Sequence, residues 1–395
     1  MIYDVIVVGG GPSGSLAAKT CAEKGLKVLL LEKEEVPRYK ACGGAVSKKA
    51  LELIGPLNEL DEKYESYGAV AFSPSLASVI GKTEDITSVL TFRKDLDYLL
   101  LKKAEKSGVE VLTEKKVESV LVNEDSVLVK TSREEYTGKI LIGADGVNSF
   151  VAKETGIRKK WEKGGSGICI EVEVELPPEI IDKLIVDKKL IEAYFLKEKG
   201  YGWIFPKGNI MSIGIGLWKP LNKKPSTVFD EFISTLETKS GVEFKQYIGQ
   251  RYAHMIPLGG PKRNNSKQRV MLVGDAAGFV DSFTGEGIYF AIKSGIIAGE
   301  IAIEAISENN FSKSLFAKYD QKCKNEINDN LGKALKFSNF VYPNVEHIIK
   351  VMSADPYLFE KYVLVGQGDM SYKKYIQVAL MRLPISLIRL VVAKK

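Results

Sequence analysis

MIYDVIVVGGGPSGSLAAKTCAEKGLKVLLLEKE, residues 1–34, decides how the chain begins to fold. Tyr3 to Val8 is rich in Val and Ile and alternates little, the pattern of a parallel strand buried on both faces. Gly9, Gly11 and Gly14 follow at once as GxGxxG. The first allows a tight turn, the second lets an anionic group approach the backbone, and the third lets the next helix pack closely on the sheet. That helix is predicted from about Pro12, a good first helical position, to near Gly25. Its free N–H groups and positive dipole end suit a pyrophosphate. A second buried strand, Val28 to Leu31, ends on Glu32, whose carboxylate suits an adenosine ribose and disfavours a 2′-phosphate. A lone GxGxxG is weak evidence, but a strand, glycines, a helix and an acid in this order and spacing form a specific dinucleotide fingerprint.

Composition sets the frame around that fingerprint. The chain has 395 residues, 45% apolar and 27% charged, which excludes disorder, collagen-like repeats and a disulfide scaffold. Cys21, Cys42, Cys169 and Cys323 form no CxxC pair, consistent with a reduced, cytosolic setting. Only His254 and His347 are present, neither in HExxH, so no metal is expected and the chemistry should come from a cofactor. Residues 331–395 carry ten Lys and Arg against four acids, an excess equal to the +6 of the whole chain. The segment ends in YIQVALMRLPISLIRLVVAKK, apolar but interrupted by Arg382, Pro384 and Arg389. It reads poorly as a spanning helix and equally well as a membrane-surface element or as a helix packed on the body of the protein. No interleaving of basic and aromatic residues points to nucleic acid.

Two further passages turn the dinucleotide reading toward a flavin. In QRVMLVGDAAGF (268–279), Val270 to Val273 is a predicted strand and Gly274-Asp275 a turn, and Gly285-Glu286-Gly287 opens a long helix. Asp275 suits a ribityl hydroxyl, and the helix start at Gly287 and Ile288 suits a flavin pyrimidine edge, where a positive dipole end favours the reduced anion. KILIGADGVNSFVAK (139–153) puts Asp145-Gly146 at the end of another buried strand.

Gly9 to Gly14, Glu32, Ala144-Asp145-Gly146 and Gly274-Asp275 together resemble the glutathione-reductase type of FAD fold, in the branch of aromatic hydroxylases, flavin halogenases and geranylgeranyl reductases. RYKACGGAVS (38–47) and YGWIFPKGNIMSIG (201–214) narrow this further. The latter fits YxWxFPKxxxxxxG through Tyr201, Trp203, Phe205, Pro206, Lys207 and Gly214, and so resembles the geranylgeranyl reductase family. The resemblance covers about residues 1–310. It implies FAD contacts at Gly9, Gly11, Ser13, Gly14, Glu32, Cys42, Gly43, Gly44, Ala45, Arg93, Val117, Asp275, Gly287 and Ile288. Arg93 enters through TFRKDLDYLL, similar to the RxxLDxxL helix start of the group, and Val117 through GVEVLTEKKV.

The expected architecture is α/β: a discontinuous Rossmann-like FAD-binding domain over 1–70, 94–158 and 262–308, a mostly antiparallel substrate (cap) domain over 71–93 and 159–261, and a helical C-terminal region over 309–395. In the cap, Ile170, Val172 and Val174 alternate with Glu171, Glu173 and Glu175, which predicts a strand with its glutamates on a wet face. No second GxGxxG precedes a helix, so electrons are expected from transient NAD(P)H, a ferredoxin or another external reductant.

The resemblance implies an FAD-dependent reductase saturating isolated C=C bonds of geranylgeranyl chains in a lipid or prenyl diphosphate, by hydride from reduced FAD N5 plus a proton. Tyr201, Trp203, Phe205 and Pro206 are the expected substrate walls in a long apolar pocket, and Ile204 is a further candidate wall or else an ordinary core residue of the second sheet. Cys42 is the candidate proton donor, or else a small packing residue whose backbone alone meets FAD. Lys207 and Lys219 could meet a lipid phosphate, but a solvated sheet end is the default expectation for each. High Lys with six Gln hints at a thermophile and so at archaeal membrane lipids rather than chlorophyll. The implied setting is cytoplasmic and peripheral on the inner, anionic face of the cell membrane. The alternative is an FAD-dependent monooxygenase or halogenase of the same branch, through the WxWxIP pattern, against which stand Tyr201 for its first Trp and Phe205 for its Ile.

Overall fold

The computed structural model describes residues 2–392, so Lys394 and Lys395 of the basic tail lie outside the described residues. The chain divides into two compact units: Met1–Lys40, Arg93–Gly165 and Ile256–Gly332 form one, and Ala41–Phe92, Ser166–Met255 and Lys333–Lys395 the other.

The first unit is built on an eight-stranded sheet. Glu110–Leu112, Val28–Leu31, Ile2–Val8, Glu135–Gly143 and Val270–Leu272 lie side by side and parallel, with Val5 opposite both Val28 and Ile140. Ser266–Lys267 adds an antiparallel edge, and Val127–Thr131 carries Val117–Val122 alongside Glu135–Gly143. The near-continuous apolar strands follow from burial on both faces: Val5, Ile6, Val7, Leu29, Leu30, Ile140, Leu141 and Ile142 are wholly inaccessible. Each such side chain stabilises the core by roughly 1.5–3 kcal/mol. Helix Pro12–Ala22 stops one turn short of the predicted end, and Gly25 with φ +80° makes the turn. It packs on helix Ile288–Ser307 through small residues: a Cβ on Gly295 would stand 2.3 Å from the Ser13 carbonyl oxygen, and one on Gly299 2.7 Å from Thr20 Cβ. Helix Lys313–Cys323 buries Phe316 and Tyr319, whose hydroxyl donates to the Leu272 carbonyl at 2.6 Å.

The second unit carries a seven-stranded sheet in the order Tyr252–Pro257, Ser166–Glu175, Ile210–Trp218, Gly200–Lys207, Ile191–Phe195, Gly68–Phe72 and Ser78–Lys82. Its central pairs are antiparallel, and Ile191–Phe195 with Gly68–Phe72 is parallel. Val172, Ile204, Ile213 and Ile215 lie under helix Pro225–Ser240, against Phe229, Phe232 and Ile233. The period-two alternation of Glu171, Glu173 and Glu175 against their apolar neighbours is present, but the wet face is not what it predicted. Exposure falls from Glu175, which is exposed, through Glu173 to Glu171, which is buried. The cause is local: Glu171 stands in register with Gly214 and through it with Trp203, whose indole lies over the glycine. A small three-stranded sheet of Ala45–Ser47, Ser88–Thr91 and Lys63–Ser66 completes this region. The later part of the unit is helical, ending in Tyr357–Gln367 and Tyr372–Val392.

Candidate FAD and substrate site

In the first unit the glycine loop leaves the strand Ile2–Val8 under tight constraint. Gly9 has φ +108°, and a Cβ there would stand 2.3 Å from the Ala144 carbonyl oxygen. A Cβ on Gly14 would be 1.9 Å from the Gly9 carbonyl oxygen. Gly11 differs: it caps the helix at φ −75°, and nothing lies within 4 Å of its Cβ position. Two glycines are therefore demanded by the protein itself, while the third faces open space at a helix start that carries no side-chain cap. That is the room a pyrophosphate requires.

Glu32 is buried just past the second strand. Its Oε2 accepts the Gly10 N–H at 2.7 Å, its Oε1 accepts that of Glu34 at 3.1 Å, and Arg38 Nε lies 3.6 Å away. The carboxylate orders the loop and has lone pairs to spare beyond these two bonds. Ser13 ties in the distant passage, since a Cβ on Gly274 would stand 2.8 Å from Ser13 Oγ. The next residue, Asp275, has its Oδ1 3.7 Å from the Cβ position of Gly287, which caps the helix opened by Ile288. The fold thus brings the two glycine motifs together. Val117 is buried and starts its strand. Asp145 is occupied structurally: its carboxylate accepts from the Ser149 hydroxyl and the Val151 N–H, and burial pushes its pKa up.

Arg93 is buried and paired with Asp97 through two bonds of 2.8 and 2.9 Å, and Arg38 reaches the same carboxylate at 3.3 Å. Burial pushes Asp97 up, yet the Arg93 charge and hydrogen bond outweigh it and hold the carboxyl below its ordinary range. Lys40 is held below its ordinary pKa by burial first and by the nearby Arg93 charge. Sequence reasoning singled out Arg93 and missed Arg38, Lys40 and Asp97. The i,i+4 spacing of Arg93 and Asp97 was the available signal.

The second unit holds the Cys42 loop and the aromatic strand together. Gly44 has φ +75°, and a Cβ on it would stand 1.9 Å from the Thr91 carbonyl oxygen. Its N–H donates to Cys42 Sγ at 3.4 Å, and Ala45 then pairs with Leu90. A Cβ on Gly43 would lie 2.5 Å from the Phe205 ring and 3.3 Å from Trp203 Nε1, so the loop rests directly on these aromatics. Tyr201, Trp203 and Phe205 project from alternate positions of one strand, successive ring centroids 6.1 Å apart. The Trp203 indole is fixed from behind: Nε1 donates to Ser212 Oγ at 3.2 Å, and Ser212 donates to Glu171 Oε1 at 3.1 Å. Pro206 is buried. Ile204 points the other way, into the core under helix Pro225–Ser240.

Lys207 corrects the expectation of a solvated sheet end. It is wholly buried, 3.2 Å from Glu173 and 4.5 Å from the Phe92 ring centroid. It lies on the strand face that meets the Cys42 loop, its Nζ 3.2 Å from the Cβ position of Gly44. Lys219 is exposed as expected. Of the other cysteines, Cys21 and Cys323 are buried and Cys169 is half-buried. Among the described residues no group of three or more His, Cys, Asp or Glu is placed to hold a metal.

Tight glycines, an open helix start and an acid beyond the second strand fit a dinucleotide. The family of FAD binding domains matches residues 2–333. The protein is accordingly an FAD-dependent oxidoreductase. The chain belongs to the digeranylgeranylglycerophospholipid reductase family within it. Its relative of that name in Methanococcus vannielii is 31% identical over 352 residues, 86% of each chain. Among solved structures, a geranylgeranyl bacteriochlorophyll reductase-like protein of Thermoplasma acidophilum shares the fold at a TM-score of 0.80 and 24% identity, covering 98% of both chains. An FAD complex of the halogenase PltM shares it at 0.70 and 20%, covering 94% of this chain and 85% of the other.

Proposed function

We propose that the protein saturates the isolated C=C bonds of geranylgeranyl chains carried by membrane glycerolipids or their precursors. The observation that carries this is the aromatic strand of Tyr201, Trp203 and Phe205 seated against the Cys42-Gly43-Gly44 loop, in a chain whose relatives are named digeranylgeranylglycerophospholipid reductases.

An isolated alkene has no neighbouring carbonyl to polarise it, so reduction demands orientation and exclusion of water more than acid strength. We assign the first unit, Met1–Lys40, Arg93–Gly165 and Ile256–Gly332, to cofactor binding, and the sheet of the second unit to the substrate. Bound FAD supplies hydride chemistry to one alkene carbon. Gly9, Gly11, Ser13, Gly14 and Glu32 would hold its adenosine diphosphate part, with Arg93, Val117, Asp275, Gly287 and Ile288 serving the rest. The Trp203 and Phe205 rings would align an apolar chain, and Ser212 with Glu171 keeps the indole from rotating away. The second alkene carbon needs a proton. Cys42 is assigned to hold it: its sulfur already accepts the Gly44 N–H, which leaves the S–H free to donate elsewhere. Electrons come from an external donor, NAD(P)H, a ferredoxin or another reductant. The enzyme would work in the cytoplasm at the inner surface of the membrane that holds its substrate.

The test is anaerobic incubation of the dithionite-reduced protein with geranylgeranyl diphosphate and with a geranylgeranylated glycerolipid, read by mass. A gain of about two mass units per double bond is expected from hydride plus proton, and no gain with either substrate overturns the reading.

A further inference from the structure

The helix Tyr372–Val392 is amphipathic the wrong way round for a soluble protein. Three of its polar residues, Arg382, Ser386 and Arg389, spaced i, i+4, i+7, turn onto one buried carboxylate, Asp355. Arg382 Nε reaches it at 2.8 Å, Ser386 Oγ at 2.7 Å and Arg389 Nη1 at 2.7 Å. The Arg382 guanidinium also stacks 4.8 Å from the Tyr357 ring centroid. With the polar side spent inward, the apolar side faces out: Met381 is 74% exposed, Ile388 65%, Leu380 64% and Val391 61%, with Ile385 and Leu387 between them. At about 100° per residue these side chains cover an arc of roughly 160° opposite the Asp355 clasp. Singly exposed leucines are ordinary, but a contiguous apolar surface of this kind marks an interaction site.

Charge selects the occupant. No acid lies between Tyr372 and Val392, whereas Lys373 and Lys374 are exposed at one end and Arg389 half-exposed at the other. Two copies meeting through this face would bring Lys373 and Lys374 of each into one interface with no acid of the helix to neutralise them, while anionic headgroups would neutralise them. The helix is the one among the described residues long and apolar enough to cross a membrane. Crossing, however, would pull Arg382 and Arg389 into hydrocarbon at roughly 2.5–3.5 kcal/mol each and leave Asp355 buried without its partners.

We infer that Tyr372–Val392 is a monotopic docking helix, held by Asp355 so that its apolar face sinks into the surface of an anionic lipid bilayer. This rests on the lipid-substrate reading for its purpose but not for its evidence. It deepens that reading by naming the element that brings the enzyme to its substrate and the residue that sets its orientation.

The experiment is flotation of the full-length holoprotein with substrate-free vesicles of about one-third phosphatidylglycerol in phosphatidylcholine. It is compared with the triple variant Met381→Ser, Ile388→Ser, Val391→Ser, and with vesicles of phosphatidylcholine alone. The parent should float with the anionic vesicles, and the variant should bind them about tenfold more weakly or worse, with flavin absorbance and turnover of detergent-dispersed substrate retained. A parent that stays off the vesicles overturns the inference, as does a variant that floats equally well. So does a lipid-free dimer of the parent that the variant converts to a monomer, which would make a second copy the occupant. Vesicle binding without any reduction of geranylgeranyl chains would sink the proposed activity and leave the docking helix standing.

Discussion

Lys207 Nζ lies 3.2 Å from Glu173 Oε1, with the lysine wholly inaccessible and the glutamate a quarter exposed. A buried ammonium with one carboxylate partner is costly to break on either side, because the charge left behind has nothing to replace what it lost. Lys207→Met should therefore destabilise the protein by about 1–3 kcal/mol, read as a lowered calorimetric midpoint. Adding Glu173→Gln to it should recover part of the loss. A double variant as unstable as the sum of the two singles would show that the pair has no coupling.

Gly11 and Gly14 belong to one motif but answer to different demands. A Cβ at Gly14 collides with the Gly9 carbonyl oxygen at 1.9 Å, so Gly14→Ala should damage folding and flavin content together. A Cβ at Gly11 meets no protein atom within 4 Å, and its backbone angles suit alanine. Gly11→Ala should leave the flavin-free protein within about 0.5 kcal/mol of the parent while weakening FAD binding about tenfold or more. Equal FAD affinity, measured by fluorescence titration, would mean that the open space above Gly11 is not where the pyrophosphate sits.

That contrast marks what the sequence could and could not disclose. The GxGxxG fingerprint was legible because each glycine answers a local steric demand and its spacing is fixed by one strand, one turn and one helix. Glu32 was legible for the same reason. Glu171 and Lys207 were not: nothing local in IEVEVEL or FPKG says that a neighbouring strand will lay Trp203 over Gly214, or that a loop more than a hundred residues earlier will close over the lysine. Burial of a charged side chain is a property of tertiary neighbours, and period-two alternation reports only which face it shares. The Asp355 clasp was hidden likewise, since Arg382 and Arg389 in an apolar helix read as interruptions until their common partner is seen.

Cys42 Sγ accepts the Gly44 N–H, a bond that a serine oxygen can also accept. Cys42→Ser therefore preserves the loop while replacing the thiol with a far weaker acid. FAD content should be unchanged and KM little altered, while kcat falls about a hundredfold, the scale of a lost proton donor. Unchanged kcat would remove Cys42 from the chemistry and leave it as a packing residue of the loop.

The Asp355 clasp should be visible as a function of pH. The hydrogen bond from Arg382, aided by that from Ser386 and the two guanidinium charges, holds the Asp355 carboxyl below its ordinary value against the opposing effect of burial. For an acid whose folded pKa is depressed, the stabilisation is fully present above the unfolded value of about 3.9 and is lost as pH falls through the folded one. The helix Tyr372–Val392 should therefore stay docked from neutral pH down to about pH 4 and loosen below it, seen as loss of amide-exchange protection confined to 372–392 and its contacts with Asp355. Asp355→Asn should weaken that protection already at pH 7, because the amide cannot compensate two guanidinium charges, and should flatten the acid-dependent step. An acid step of unchanged size and midpoint in Asp355→Asn would assign the transition to other carboxylates and remove Asp355 as the residue that orients the helix.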